Sequence, residues 1–120
     1  MISRMSESFK NAGRGLAYVF KKERNFRIQT LVGSFALLLV WFLPLRAWEA
    51  IVVILLCVMV LTMELLNTAL ENFTDLFKPR VHPYVGTIKD IMAAAVLVTS
   101  FGALIIGIII FLPHFIEIIK

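Results

Sequence analysis

Three long apolar runs constrain the fold of this chain more than any other feature. They cover residues 30–45, 50–70 and 91–112. A helix that crosses the hydrocarbon core of a bilayer takes about 20 apolar residues, and the second and third runs reach that length. The first run is shorter and has Pro44 near its end, so we expect Phe26 and Ile28 to extend it at its start. The runs predict an all-α integral membrane protein with three transmembrane helices.

The composition excludes a soluble globular fold. The 120 residues are 60% hydrophobic and only 17% charged, and the mean hydropathy is +0.90. A soluble domain has about 25% charged residues, and one this small cannot bury so much apolar surface. We therefore expect residues 1–120 to form a single membrane domain. The net charge of +4 is modest and does not indicate a nucleic-acid partner, and the single cysteine, Cys57, excludes an intrachain disulfide.

Residues 1–29 are polar and basic, and they have the pattern of an amphipathic helix. Apolar residues recur there at helical spacing, whereas Lys10, Arg14 and Lys21 fall on another face. A basic amphipathic helix directly before a span is typical of one that lies on the membrane surface. The alternative is a helix that packs against a soluble partner.

The distribution of basic residues predicts the orientation. Seven Lys or Arg residues precede the first span, three lie in the polar segment 75–90, and the opposite side has Arg46 and Lys120. The positive-inside rule then places the N-terminus and segment 75–90 in the cytoplasm, which predicts a multi-pass protein of the cell membrane. Segment 75–90 contains two prolines and a glycine, and we expect an ordered but non-helical loop there.

The second span ends in a stripe of polar residues. Glu64, Asn67, Glu71 and Asp75 lie within the stretch ELLNTALENFTD. At about 100° per residue, these four side chains fall within a stripe roughly 80° wide. Carboxylates inside a membrane helix are costly, and they face a bundle interior or a water-filled cavity. The stripe therefore indicates a cation, a proton or a substrate.

Further polar residues are expected at the same depth. Glu23 precedes the first span, and Lys89 and Asp90 open the third. Carboxylates suit Mg²⁺ bound together with substrate phosphates, a lysine can neutralise phosphate oxygens, and a deeper acid such as Glu64 can accept a proton from a lipid hydroxyl. The chain has neither a P-loop nor the glycine-rich loop of protein kinases. The residues thus permit phosphoryl transfer without establishing it.

Each of these residues also has a simpler interpretation. Glu64 could be a buried acid that bonds to a neighbouring helix, and Glu71 and Asp75 could be solvated at a helix end. Lys89 could be a snorkelling lysine, and Asn67 could join helices. A rival function for the whole stripe is a proton or cation relay in a small transporter. Against it, the third span is apolar after Ser100.

The sequence resembles a known family at these same residues. The stretch ELLNTALE, followed by HP and then KDIMAAAVL, is similar to the small bacterial membrane kinases of the diacylglycerol kinase and undecaprenol kinase family. The stretch ERNFRIQ also resembles the start of that family's first span, and the likeness extends over nearly the whole chain. The resemblance implies a homotrimer with active sites between subunits. It also implies ATP with Mg²⁺, and a membrane lipid alcohol as the phosphoryl acceptor.

The resemblance also implies a role for each candidate residue. It makes Glu64 the catalytic base and gives Asp75 a supporting role. It makes Glu23 and Glu71 the metal-binding residues. The residues that it implies for ATP binding are Glu23, Asn67, Glu71, His82, Lys89 and Asp90.

Two departures bear on the acceptor. Gln29 stands where the diacylglycerol kinase branch has an acid, and Ala93 stands where that branch has a serine near the lipid. The stretch FRIQ and the dipeptide HP look more like the undecaprenol kinases. The resemblance therefore favours undecaprenol as the acceptor, with diacylglycerol as the alternative.

Overall fold

The fold consists of four helices along the chain. A computed structural model describes residues 1–77 and 83–120. The helices are α1 (Ile2–Lys22), α2 (Arg24–Phe42), α3 (Ala47–Asp75) and α4 (Pro83–Ile119), and the two described ranges contain no strand. Within those ranges, α2, α3 and α4 are long and apolar enough to cross a membrane. The prediction of an all-α protein with three spans and an N-terminal helix is confirmed.

The chain changes direction at Glu23, inside the segment predicted as one surface helix. We expected residues 1–29 to form that helix, but α1 ends at Lys22, and residues 24–29 belong to α2. Glu23 has an extended backbone, with φ −103° and ψ 112°. The Arg27 guanidinium donates to the backbone oxygens of Phe20 and Lys21, each at 2.8 Å. Since those carbonyls lack partners at a helix end, a side chain four residues later stabilises the break.

Helices α3 and α4 are longer than a bilayer requires. At 1.5 Å per residue, their 29 and 37 residues extend about 44 Å and 56 Å, against a hydrocarbon core of about 30 Å. The prediction of a non-helical segment 75–90 is wrong for residues 83–90, which form the start of α4. Proline is tolerated in the first turn, where its missing N–H has no helical partner anyway, so Pro83 can begin the helix.

Two polar pairs define the register of α3 against α4. Lys89 Nζ lies 2.9 Å from Asp75 Oδ1, and His114 Nε2 lies 3.3 Å from Glu49 Oε1. We call the end with Asp75 and Lys89 the site end, and the end with Glu49 and His114 the turn end. The two helices are antiparallel. Glu64 lies eleven residues before Asp75 and Ser100 lies eleven residues after Lys89, so Glu64 and Ser100 are at the same depth.

Helix α2 also packs on α3. The Cys57 Sγ lies 4.0 Å from the backbone oxygen of Gly33, and this contact fixes the register of α2. Gln29 lies four residues from Gly33 toward the site end. Its depth is therefore within one helical turn of that of Glu64. In the described residues α2 and α4 both pack on α3 but not on each other. Helix α3 is therefore the central helix of the fold.

The small buried interior of this chain contains polar as well as apolar side chains. Glu64 and Thr68 are each only 1% exposed, whereas large apolar side chains such as Leu31 and Trp41 are exposed. Because apolar side chains are stable against lipid and unpaired polar groups are not, this arrangement suits a protein inside a bilayer. The described interior is where polar chemistry is concentrated.

Candidate active site

The buried polar residues of the described structure all lie on the site-end half of α3. They are Glu64, Asn67, Thr68 and Thr74. The Thr68 hydroxyl donates to the backbone oxygen of Glu64, and the Thr74 hydroxyl donates to that of Glu71, each at 3.0 Å. Such bonds to the preceding turn satisfy a helical hydroxyl locally. The two threonines therefore require nothing from a ligand.

Glu64 and Asn67 are different, because each has a buried oxygen that remains unsatisfied. Glu64 Oε2 and Asn67 Oδ1 have no hydrogen-bond partner in the described part of the chain. Leaving a buried acceptor unpaired costs about 1–3 kcal/mol, so native proteins keep few of them. Both oxygens can accept a hydrogen bond or contact a cation. Of the predicted site residues, these two are the ones most clearly available to a ligand.

Two further carboxylates lie near Glu64. The Asn67 amide donates to Glu71 Oε1 at 3.4 Å, which ties Glu71 to the buried residues. Continuing the α2–α3 register brings Glu23 to the depth of Asn67, and both Glu23 and Glu71 are partly buried. The negative charges of Glu23 and Glu71 repel that of Glu64. Three acids at neighbouring depths favour binding of a cation or a proton.

The donor set fits a metal that is bound together with phosphate. In residues 1–77 and 83–120, no group of three His, Cys, Asp or Glu residues could hold a metal ion by itself. Mg²⁺ usually keeps several waters and is bound by one or two carboxylates plus substrate phosphates. Glu23 and Glu71 can supply such a pair of carboxylates, and the Asn67 side chain contacts Glu71. These residues therefore fit Mg²⁺ that is carried by a nucleotide.

The outer part of the predicted site is separated from Glu64. The Lys89 ammonium donates to Asp75 at 2.9 Å and joins α3 to α4. Asp75 is eleven residues beyond Glu64, a distance of about 16 Å along the helix. Asp90, which follows Lys89 on α4, is exposed. His82 lies outside the described residues. Within one subunit the structure thus groups Glu23, Glu64, Asn67 and Glu71, and it groups Asp75 with Lys89 separately.

Sequence reasoning missed the residues that hold α1 on α3. The Lys22 ammonium donates to the side-chain oxygen of Asn72, and the Asn72 amide donates to the Tyr18 hydroxyl at 3.0 Å. Lys22 also lies 5.5 Å from the centre of the Tyr18 ring. This hydrogen bonding lowers the pKa of Tyr18, through Lys22 first and Asn72 second, and the Tyr18 contact raises the pKa of Lys22. Lys22 is one of seven basic residues in its segment, so nothing in the sequence singled it out.

Gln29 also belongs to the site. Its side-chain amide approaches the Glu64 carboxylate, while its own Oε1 is buried without a partner in the described residues. The sequence marked Gln29 only as a departure from one branch of the family. Its position beside Glu64 indicates that the departure falls next to the buried carboxylate of α3.

Comparison with known proteins identifies the family. Residues 10–111 match the family described as prokaryotic diacylglycerol kinase. The undecaprenol kinase of Bacillus subtilis is 36% identical over 112 residues, which are 93% of this chain and 91% of that protein. A diacylglycerol kinase of Synechocystis sp. is 38% identical over 107 residues, 88% of this chain and 61% of that protein. That of Haemophilus influenzae is 30% identical over 97 residues, 81% of this chain and 82% of that protein. The chain therefore belongs to the prokaryotic diacylglycerol kinase family of membrane lipid kinases.

Proposed function

We propose that this lipid kinase transfers the γ-phosphate of ATP to undecaprenol, with Glu64 as the general base. The observation that carries the base assignment is a carboxylate that is 1% exposed, lies inside a membrane helix and has one oxygen without a partner among the described residues. An acid is rarely placed there for stability alone, because burying it without full pairing is unfavourable. A ligand hydroxyl would supply the missing hydrogen bond.

In the proposed reaction the protein itself carries out little covalent chemistry. Glu64 Oε2 accepts the proton of the lipid hydroxyl as the hydroxyl oxygen bonds to the γ-phosphorus, and the bond between that phosphorus and the ADP oxygen breaks. Phosphoryl transfer depends mainly on positioning and on stabilising charge. A buried base beside the membrane substrate fulfils the positioning role.

The phosphate-binding roles are assigned to the neighbouring polar residues. Glu23 and Glu71 would hold Mg²⁺, which neutralises phosphate charge when bound. The Asn67 oxygen would contact the same Mg²⁺. Lys89 would balance charge that develops during transfer, and its bond to Asp75 would position it. We assign nucleotide contacts to Asp90 and His82 from the family resemblance alone.

The acceptor is proposed from two features of this chain. The relative named undecaprenol kinase is matched over 91% of its length, against 61% for the diacylglycerol kinase of Synechocystis. Gln29 places a neutral amide beside Glu64 where the diacylglycerol kinase branch has an acid. Diacylglycerol remains the second candidate, because the Synechocystis relative has the higher identity.

We also propose that the enzyme is a homotrimer whose sites are completed between subunits, with the site end in the cytoplasm. The Asp75–Lys89 pair lies about 16 Å along α3 from Glu64. Within one subunit, these candidate residues are therefore too far apart to form a single site. The exposed apolar side chains of α2 and α4 leave surface for other copies or for lipid. The basic N-terminal segment supports the cytoplasmic orientation, where ATP is available.

A proton or cation relay is the less favoured function. Such a relay needs polar groups from the site end to the turn end, yet α3 presents Val53, Leu56 and Val60 between them. Membership in a kinase family also weighs against it.

The test is a transfer assay on purified protein in mixed micelles with Mg-ATP. Phosphate transfer to undecaprenol and to diacylglycerol is measured side by side at equal mole fraction. We expect the ratio kcat/KM to favour undecaprenol. A preference for diacylglycerol would overturn the acceptor assignment and leave the kinase intact. Proton-coupled flux in liposomes without any transfer would instead support the relay.

A further inference from the structure

The Lys22 ammonium lies beside the two carboxylates that we assign to Mg²⁺. Lys22 directly precedes Glu23 at the break between α1 and α2, and its ammonium donates to the side-chain oxygen of Asn72. Asn72 in turn directly follows Glu71 on α3. The negative charges of Glu23 and Asp75 both act on Lys22. The contact between α1 and α3 therefore brings a cation next to the proposed metal-binding pair.

The depth of this cation follows from that of Asn72. Asn72 is eight residues beyond Glu64 on α3, which is about 12 Å at 1.5 Å per residue. In the proposed reaction, the transferred phosphorus meets the lipid hydroxyl at Glu64. The part of the nucleotide that leaves as ADP would then lie farther toward the site end. Lys22 is at the depth of that part.

The candidate site has an excess of negative charge. Lys89 is the only lysine or arginine among the candidate residues, and it is bonded to Asp75. A nucleoside triphosphate carries more negative charge than one Mg²⁺ neutralises, and a lysine ammonium is a common partner of phosphate oxygens. A second cation beside the metal-binding pair would offset this excess. Five of the candidate residues are acids, namely Glu23, Glu64, Glu71, Asp75 and Asp90.

A second bond between α1 and α3 does not involve Lys22. The Asn72 amide donates to the Tyr18 hydroxyl at 3.0 Å, so the two helices remain joined without the ammonium. Lys22 is exposed, and an ammonium has three N–H donors, of which Asn72 accepts one. The Tyr18 ring, 5.5 Å from the Lys22 ammonium, contacts it through its π-system. The ammonium is therefore held in place and is still accessible to a ligand.

We propose that Lys22 is a nucleotide-binding residue that contacts a phosphate of the ADP part of Mg-ATP. The inference rests on the proposed use of Mg-ATP and adds a residue of α1 to the phosphate-binding set. Asn72 and the Tyr18 ring hold the ammonium before the nucleotide binds, so little side-chain entropy is lost on binding. Because the contact is equally strong before and during transfer, it lowers KM for ATP and leaves kcat unchanged.

The first test removes the charge of Lys22. Lys22→Gln should raise KM for ATP about tenfold, the effect of one lost charge-assisted hydrogen bond, with kcat and KM for the lipid unchanged. Lys22→Arg should recover most of the affinity, because it keeps the charge. Lys21→Gln is the matched control, since it removes the same charge one residue earlier, and it should leave KM for ATP unchanged. An unchanged KM for ATP in Lys22→Gln, or an equal rise in Lys21→Gln, would overturn the inference.

A second variant separates nucleotide binding from the docking of α1. Tyr18→Phe removes the hydroxyl that bonds to Asn72 but keeps the ring and the ammonium. Amide exchange near the end of α1 should quicken, whereas KM for ATP should stay that of the wild type. Added KCl should raise KM for ATP less in Lys22→Gln than in the wild type, because salt screens a charge contact. Equal rises of KM in Tyr18→Phe and Lys22→Gln would show that Lys22 acts through docking alone and would overturn the inference.

Binding of Mg-ADP separates this inference from the proposed function. Equilibrium dialysis without a lipid acceptor gives Kd for the wild type and for Lys22→Gln, and we expect Kd to be about tenfold higher in the variant. Equal Kd values would overturn the inference and leave the lipid kinase function intact. If the wild type binds Mg-ADP but phosphorylates no lipid alcohol, the proposed function fails, and the two Kd values still decide the role of Lys22. A wild type that does not bind Mg-ADP would overturn both.

Discussion

The two ends of α3 each carry a buried or partly buried glutamate, and the two differ in how fully they are paired. At the turn end, Glu49 accepts a bond from the Arg46 backbone N–H at 2.9 Å and faces His114 at 3.3 Å. At the site end, Glu64 is more buried and keeps an oxygen without a partner in the described residues. This difference underlies our proposal that Glu64 serves a ligand, whereas Glu49 stabilises the helix pair.

The largest effect expected from this comparison is at Glu64. Glu64→Gln removes the proposed base and keeps the shape of the side chain, so kcat should fall about 10²- to 10⁴-fold with folding and oligomeric state unchanged. The measurement is phosphate transfer to undecaprenol, with size-exclusion chromatography on the same sample. Glu117→Gln, at an exposed position near the C-terminus, is the control and should be fully active. An active Glu64→Gln enzyme would remove the functional side of the comparison.

The next effect concerns the metal. Glu71→Gln should raise the Mg²⁺ concentration for half-maximal activity about tenfold, because one of two carboxylates is lost and metal sites respond on this scale. Excess Mg²⁺ should recover much of the rate, which it should not do for Glu64→Gln. Titration of activity with Mg²⁺ at fixed ATP checks this. Unchanged metal dependence would exclude Glu71 as a metal-binding residue.

The turn end should respond in stability and not in chemistry. Glu49→Gln weakens the contact with His114 and the bond at the start of α3, and we expect Tm in detergent to fall by a few degrees. The kcat should stay near that of the wild type, because this pair lies fifteen residues along α3 from Glu64. Thermal unfolding and transfer assays on one preparation test both statements. A large loss of kcat without a change in Tm would show that Glu49 acts in the reaction, as is proposed for Glu64, and would contradict the distinction between the two ends.

The smallest expected effect is on the docking of α1. Lys22→Met removes the ammonium that bonds Asn72 and contacts Tyr18, and amide hydrogen exchange near the end of α1 should quicken roughly two- to threefold, as for an exposed polar contact. Lys10→Met, on the exposed part of α1, is the control.

The raised pKa of Lys22 sets the pH window of this contact. A cation with a raised pKa stabilises the contact fully below its ordinary value of 10.5, and the contribution is lost as pH rises through the higher folded value. Docking of α1 should therefore be constant at neutral pH. A protection factor, which is the exchange rate corrected for its intrinsic dependence on pH, that changes between pH 6 and pH 8 would contradict this role of Lys22.

Much of the fold was predictable because it depends on local pattern. The apolar runs predicted three spans, and the positions of Glu64, Asn67 and Glu71 at helical spacing predicted a polar face on α3. The break at Glu23 was not predictable, because it depends on the Arg27 side chain reaching back to carbonyls of the preceding helix and involves neither proline nor glycine. The helical conformation of residues 83–90 was missed because a proline can begin a helix as readily as it can interrupt one.

The sequence by itself determined that this protein lies in a lipid bilayer, where its spans are, and that its central helix has a polar face. These follow from hydrophobicity and periodicity, which are properties of the chain read in order. Only the tertiary structure decided which polar groups are satisfied: that one oxygen each of Gln29 and Glu64 has no partner among the described residues, and that the Gln29 amide lies beside the Glu64 carboxylate. The reason is physical, because hydrogen-bond satisfaction depends on distances between helices that are remote in sequence, and no single segment contains that information.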